Sequence, residues 1–162
     1  MIAQCDQTMG AAMYHAIVER RLRTTLARLS KGDIAYVTRQ FADPIRHEFA
    51  GDHALGGRRE SKVTIDQWYA RLHRLFPDLR FEVDDIHVSG WPWNTTAVVE
   101  WRDFFGLPDG STGRNFGVFV IGIRWGEVRR FSIHTDTDRI KRYFADFARA
   151  GVSEALAAPI TG

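Results

Sequence analysis

Two residues of the chain have the types and positions that acid/base catalysis requires. Asp103 shares one strand face with Trp101, because side chains alternate along a β-strand. His47 shares a face with apolar neighbours on an earlier strand, so both side chains are expected to point inward. Burial raises the pKa of a carboxyl and a histidine partner lowers it again, so such a pair can remove a proton from carbon next to a carbonyl. The alternative is that Asp103 pairs with an arginine, such as Arg102 or Arg114.

The other titratable residues give weaker signals. His53 lies in the glycine-rich loop 50–57, which could fold over the mouth of a pocket. This loop lacks the spacing of a phosphate-binding or dinucleotide-binding motif, so we expect no cofactor. His134 and Asp136 lie on the opposite strand face from Ile133, away from an interior. They could chelate a metal ion, but no third ligand stands at a suitable spacing, and we expect no metal.

The aromatic residues indicate what a pocket would bind. Large rings come from separate elements that a curved sheet would bring together: Trp68, Tyr69, Trp91, Trp93, Trp101, Phe119 and Phe131. Their alternative role is to fill a core. An aromatic cavity with a few polar groups suits a flat hydrophobic ligand, such as a polyketide, terpenoid or steroid-like ring system. We therefore predict ligand contacts from Trp68, Tyr69, Trp101, Phe119 and Phe131, with His53 at the mouth.

The elements that would position these residues follow from the hydrophobic period. A period of 3.6 predicts helices over 8–30 and 34–41, and a third between a capping box at Thr64 and Pro77. A period of two predicts strands over 45–49, 79–88, 95–105, 115–125 and 128–135. Asp136 or Thr137 caps a last helix, which ends at Gly151. Helices cluster early and strands late, which indicates an α+β fold.

Composition excludes several classes of protein. A length of 162 residues with 44% hydrophobic residues suits one globular domain. The 22 basic and 20 acidic residues are interleaved, so we expect no nucleic-acid partner. No apolar run approaches the roughly 20 residues that span a membrane, and no signal peptide is visible, so we expect a cytoplasmic protein without membrane contact. Cys5 is the single cysteine, which excludes an internal disulfide.

Short segments at the joints between elements carry a family resemblance. They are Lys31-Gly32-Asp33, Gln40-Phe41-Ala42-Asp43, 51–57, 79–83, 98–101 and 133–137. Their joint order resembles the SnoaL-like, or polyketide cyclase-like, branch of the nuclear transport factor 2-like superfamily over residues 17–150. The resemblance implies a cone: a curved mixed or antiparallel sheet wrapped around three N-terminal helices, with a C-terminal helix and an internal pocket. Residues 1–16 would then be an N-terminal extension and 151–162 a tail, and the partner of the chain would be a second copy in a homodimer.

The resemblance also allows a comparison with the catalytic residues of two enzyme classes in that superfamily. Asp103 falls where its epoxide hydrolases hold an acid, but Trp101 and Ile133 fall where they hold an arginine and a second acid. The general base of its ketosteroid isomerases falls near Phe49. Neither pattern is complete. We therefore expect a protein that binds a small apolar or aromatic metabolite. One hypothesis is metal-free isomerisation, cyclisation or dehydration with Asp103 and His47, and the other is a non-catalytic ligand-binding or dimerisation module.

Overall fold

A computed structural model describes the backbone of residues 2–162 and the side chains of residues 9–162, so the side chain of Cys5 lies outside the described part. Its helices are α1 (Ile2–Leu29), α2 (Ile34–Thr38), α3 (Lys62–Leu75) and α4 (Thr137–Arg149), followed by a 3₁₀ helix (Ser153–Leu156). Its strands are β1 (Phe41–Phe49), β2 (Gly57–Arg59), β3 (Arg80–Trp91), β4 (Asn94–Gly106), β5 (Thr112–Arg124) and β6 (Glu127–Thr135).

Within the described residues, the strands form one six-stranded sheet in the order β2-β1-β6-β5-β4-β3. The four late strands, β3 to β6, make the antiparallel meander that their short connections predict. β1 joins this meander in parallel beside β6, and β2 pairs antiparallel with the other edge of β1. Helix α1 packs on β3 and α3 packs on β1. The predicted α+β cone, with a mixed sheet around the N-terminal helices, is therefore confirmed.

The helix starts follow from capping side chains. The carboxylates of Asp33 and Asp136 accept the backbone N–H groups of Tyr36 and Arg139, so Asp136 is the cap of α4, one of the two predicted candidates. The predicted cap of α3 is wrong, because the side chain of Ser61 accepts the backbone N–H of Thr64 at 3.2 Å. Ser61 and Thr64 have the same spacing as the capping box that was read one turn later.

The largest differences from the prediction concern β1 and β2. Helix α2 ends at Thr38 in place of Phe41, and β1 begins at Phe41 in place of Ile45, because Phe41 already pairs with Val128 of β6. Strand β2 was not predicted, because its three residues are too few to display an alternating pattern. Helix α1 runs without a break across the predicted boundary between the extension 1–16 and the domain.

The C-terminal tail is bound along the β2 edge of the sheet. The carbonyl of Gly162 accepts the backbone N–H of Glu60 at 2.7 Å, and the N–H of Gly162 donates to Arg58 at 3.2 Å. Arg71 donates from Nη1 to the carbonyl of Ala158 at 2.7 Å. The tail thus extends the pairing of this edge. None of the described helices has the length and apolarity needed to cross a lipid bilayer.

Candidate functional site

The concave side of the sheet holds a cavity with a wall of aromatic and aliphatic side chains. The aromatic residues predicted to contact a ligand all line it: Trp68, Tyr69, Trp101, Phe119 and Phe131. Helix α4 contributes Ile140, and the polar residues of the wall include Asp103, Asn115 and Thr135.

A glycine in β5 sets the shape of this wall. Gly117 stands between Trp101 of β4 and Thr135 of β6 in the sheet register. A Cβ atom on Gly117 would lie 2.1 Å from the carbonyl oxygen of His134 and 2.9 Å from Cζ2 of Trp101. Only glycine fits there, and the space it leaves is covered by the indole of Trp101. The ring of Trp101 can therefore form part of the cavity wall.

Asp103 is the acid in this wall. It is 8% exposed, and its Oδ1 accepts the backbone N–H of Asn115 at 2.8 Å, directly across the β4–β5 ladder. Burial raises the pKa of Asp103 from 3.8 to about 7, against the opposing effect of the hydrogen bond from Asn115. The carboxyl group is thus poised to gain or lose a proton near neutral pH, as a general acid/base requires.

Asp103 does not form the arginine pair that was considered from the sequence. Arg102 lies on the outer face, and its single Nε–H is shared between the two carboxylate oxygens of Asp84, at 3.0 Å from each. Arg114 is exposed, and its backbone N–H and carbonyl bond to the hydroxyl of Tyr143. Among the described residues, no ion pair involves Asp103. Its carboxyl therefore remains available to a ligand.

His47 does not meet Asp103, so the predicted acid/base pair is wrong. His47 points inward as its parity predicts, but its ladder row continues through Phe131, Ile121 and Ala97, six residues from Asp103 along β4. Strands β6 and β5 also separate the two side chains, a lateral distance of about 14 Å at ordinary strand spacing. Alternation predicts which face of the sheet a residue lies on but not its position along the neighbouring strands. His47 and Asp103 share a face but lie at different positions along it.

His47 instead belongs to a buried structural pair with Arg59. Both side chains have 0% exposure, and Nε of Arg59 donates to Nδ1 of His47 at 3.1 Å. Burial, followed by the charge of Arg59, lowers the pKa of His47 from 6.5 to about 3. His47 is therefore neutral at physiological pH. The remaining donors of Arg59 bind backbone carbonyls, including Gly56 and Ile160 at 2.9 Å each.

His53 does not lie at the mouth of the aromatic cavity. It lines a separate, more open recess between the glycine-rich loop, α4 and the C-terminal tail. Its Nε2 lies 3.1 Å from the carbonyl oxygen of Ala50, and burial lowers the pKa of the ring. The loop folds toward α4, where Phe144 packs against the histidine ring at 5.6 Å. His53 is therefore not among the residues that line the aromatic cavity.

Asn115 was not predicted as a site residue, because its position opposite Asp103 depends on the strand register. Its backbone N–H binds Asp103, and its Nδ2 donates to the carbonyl of Asp136 at 3.3 Å. Asn115 thus links the acid to the first turn of α4. Alternation along β5 puts Asn115 on the face of Phe119, but the identity of its partner depends on the register. In the described part of the chain, no three His, Cys, Asp or Glu side chains cluster as metal ligands.

Solved structures with this architecture identify the class of fold. A nuclear transport factor 2-like protein of unknown function from Burkholderia pseudomallei superimposes with a TM-score of 0.67 at 19% identity, covering 77% of this chain and 95% of that one. A candidate polyketide cyclase from Sinorhizobium meliloti gives 0.55 at 19% identity, with 71% and 94% covered. The protein TerC, co-crystallised with polyporic acid, gives 0.61 at 15% identity, with 76% and 95% covered. The fold is the nuclear transport factor 2-like cone.

The family follows from the sequence itself. The model of the SnoaL-like domain matches residues 22–131, which run from α1 to β6 and include the cavity wall around Asp103. The chain therefore belongs to the SnoaL-like family, as the resemblance implied. No curated protein shows significant similarity to it.

Proposed function

We propose that this protein binds a small apolar or aromatic metabolite in the cavity and that Asp103 is the general acid/base that acts on it. The observation that carries the proposal is a buried carboxyl, with a pKa near 7 and no ion pair among the described residues, in the wall of an aromatic cavity. Desolvation without a basic partner makes a carboxylate a stronger base than it is in water. This arrangement suits proton transfer at a carbon atom.

The reaction class that fits is a metal-free isomerisation, cyclisation or dehydration. The N–H of Asn115 occupies Oδ1 of Asp103, so Oδ2 is the oxygen that exchanges the proton. The ionised carboxyl takes a proton from carbon next to a carbonyl, which leaves an enolate. The protonated acid then returns that proton to another carbon or to a leaving oxygen. Positioned proton transfer of this kind contributes about 10²–10⁴-fold to a rate.

The comparisons support a ligand that contains rings. Among the structural neighbours are a candidate polyketide cyclase and a protein crystallised with polyporic acid. The wall of the present cavity agrees with such a ligand, because Trp68, Tyr69 and Phe119 present ring surfaces to it. Flat apolar molecules gain from burial and from offset or edge contacts with such rings.

A non-catalytic binding protein is the second candidate. It is favoured by the position of His47, which leaves Asp103 without the partner that the sequence suggested. A single carboxyl group can bind a ligand hydroxyl without any turnover. The two candidates differ in whether a bound ketone exchanges the protons next to its carbonyl.

The test uses α-tetralone, a two-ring ketone with exchangeable protons, in deuterated buffer at neutral pH. The catalytic proposal expects the wild type to accelerate deuterium incorporation, followed by NMR, and Asp103→Asn to lose at least about 100-fold of that acceleration. Asp84→Asn removes an exposed carboxylate on the outer face and is the matched control. Equal exchange in Asp103→Asn would refute the base. Binding of tetralone without exchange would establish the second candidate.

A further inference from the structure

The indole of Trp101 carries a hydrogen-bond donor without a partner. Trp101 is 3% exposed, and its buried Nε1 makes no hydrogen bond to any described residue. Its ring packs against Phe81 and Phe119, with centroids 5.4 and 4.8 Å away, and neither ring supplies a conventional acceptor. An unsatisfied buried donor costs about 1–3 kcal/mol, so its presence in a cavity wall requires an explanation.

Trp68, in the same wall, shows the ordinary solution. Its Nε1 donates to the carbonyl of Leu55 at 2.8 Å, so the donor is satisfied inside the protein. The two tryptophans thus have similar burial and line the same cavity, but only Trp68 has an internal acceptor. Trp101 and Asp103 are two residues apart on the inner face of β4, so the unused donor belongs to the same strand face as the acid.

We infer that the indole N–H of Trp101 binds a carbonyl oxygen of the ligand, which narrows the ligand class to flat ring compounds that carry a ketone or quinone-type oxygen at the edge. This inference rests on the proposed function and assigns Trp101 the recognition of that oxygen. A buried donor selects strongly for ligands that satisfy it, since a plain hydrocarbon leaves it unpaired.

The spacing of the two groups agrees with one ligand edge. Residues two apart on a strand lie about 6.6–6.8 Å apart along it, on the same face. A carbonyl oxygen and the carbon beside it belong to the same edge of a ring. With the oxygen held by Trp101, the neighbouring C–H lies on the side of Asp103. The N–H then also stabilises the negative charge that develops on the oxygen when the proton leaves.

A competing source for the acceptor is solvent. Trp101 also borders an open groove on the outer side of the sheet, beside Gly117 and Thr135, with acidic neighbours such as Asp84 and Glu100. A water molecule entering from this groove would satisfy the N–H without any ligand. In that case the protein would not distinguish a ketone from the corresponding hydrocarbon through Trp101.

The experiment compares α-tetralone with tetralin, which has the same rings without the oxygen, by isothermal titration calorimetry. Trp101→Phe keeps an aromatic ring and removes the N–H. We expect it to weaken tetralone binding about five- to tenfold and to leave tetralin within about twofold. Trp68→Phe is the matched control. It removes a donor that already has a partner, so it should destabilise the unliganded protein and change the affinities for both probes alike.

A second measurement needs no variant to fold. In ¹⁵N-labelled wild type, tetralone should move the Trp101 indole N–H resonance downfield, whereas tetralin should not. Tetralone affinity that is equal in wild type and Trp101→Phe, with an unmoved resonance, overturns the inference while cavity binding and exchange by Asp103 stand. Failure of both probes to bind the wild type overturns the inference together with the proposed function.

Discussion

Asp103→Asn is expected to stabilise the protein above neutral pH and to leave its stability nearly unchanged in acid. Burial holds the pKa of Asp103 at about 7 in the native state, against 3.8 for an ordinary aspartate. Between these two pH values the native state retains a proton that the unfolded chain has lost. The contribution of Asp103 to stability therefore falls as pH rises from about 4 to 7, by about 1.4 kcal/mol per pH unit and about 4 kcal/mol in total.

The difference between variant and wild type isolates this effect, because another buried group opposes it. The pKa of His47 is lowered to about 3, so below pH 6.5 the unfolded chain binds a proton that native His47 does not. Stability therefore falls as pH drops from 6.5 toward 3. Between about pH 4 and 6.5 the two contributions nearly cancel in the wild type. His47 is present in both proteins, so their difference reports Asp103 alone.

The assay is urea denaturation of both proteins from pH 4 to 8, followed by circular dichroism. The free energy of unfolding of Asp103→Asn should exceed that of wild type by an amount that grows to about 4 kcal/mol at pH 8. Asp84→Asn is the control of opposite sign, because the hydrogen bond from Arg102 lowers the pKa of Asp84. Losing that carboxylate should cost a small amount of stability as pH rises. A difference for Asp103→Asn that does not change with pH would refute the desolvated carboxyl.

Three further substitutions probe the surroundings of the cavity. Arg59→Met breaks the hydrogen bonds of Arg59 to His47 and to the tail, so it should lower the free energy of unfolding by about 3–5 kcal/mol in urea denaturation. Its control is Arg58→Met at an exposed position, which should change that free energy by about 0.5 kcal/mol or less. Gly117→Ala places a Cβ 2.1 Å from a carbonyl oxygen, so it should destabilise the sheet and weaken tetralone binding. Its control is Gly10→Ala, in open space on α1, which should stabilise the protein by up to about 1 kcal/mol. His47→Gln should remove the loss of stability between pH 6.5 and 3 and leave the deuterium exchange of tetralone unchanged. Loss of that exchange at unchanged stability would show that His47 has a catalytic role.

Local patterns in the sequence predict most of the elements, because each depends on neighbours along the chain. The alternation in β4 placed Trp101 and Asp103 on the inner face, and Asp136 was one of the two residues predicted to cap the last helix. Ser61 was missed because two capping patterns overlap within one turn. The outlines of helices and strands thus follow from local spacing, with errors where signals compete.

The register between strands, and the contacts that depend on it, could not be predicted from the sequence. His47 was expected beside Asp103 because both face inward, yet the register separates them across β6 and β5. Asn115 was missed for the same reason, since its contact with Asp103 exists only through the β4–β5 pairing. The predicted homodimer and the predicted cytoplasmic location stay predictions. The contacts of the site depend on the strand register, and the register depends on the pairing of the whole sheet.

The energetics of Asp103 support the proposed ligand site in the cavity. The chain has 19 arginines, and exposed Arg102, the next residue along β4, bonds to Asp84 on the outer face. An aspartate buried among aromatic rings costs about 4 kcal/mol above neutral pH, a large fraction of the 5–15 kcal/mol that ordinarily holds a domain together. A leucine or asparagine at this position would avoid that cost. Features that lower stability are tolerated at functional sites, and the unpaired N–H of Trp101 is a second such feature on the same strand face. A ligand with an oxygen at its edge and an acidic C–H beside it would use both groups at once.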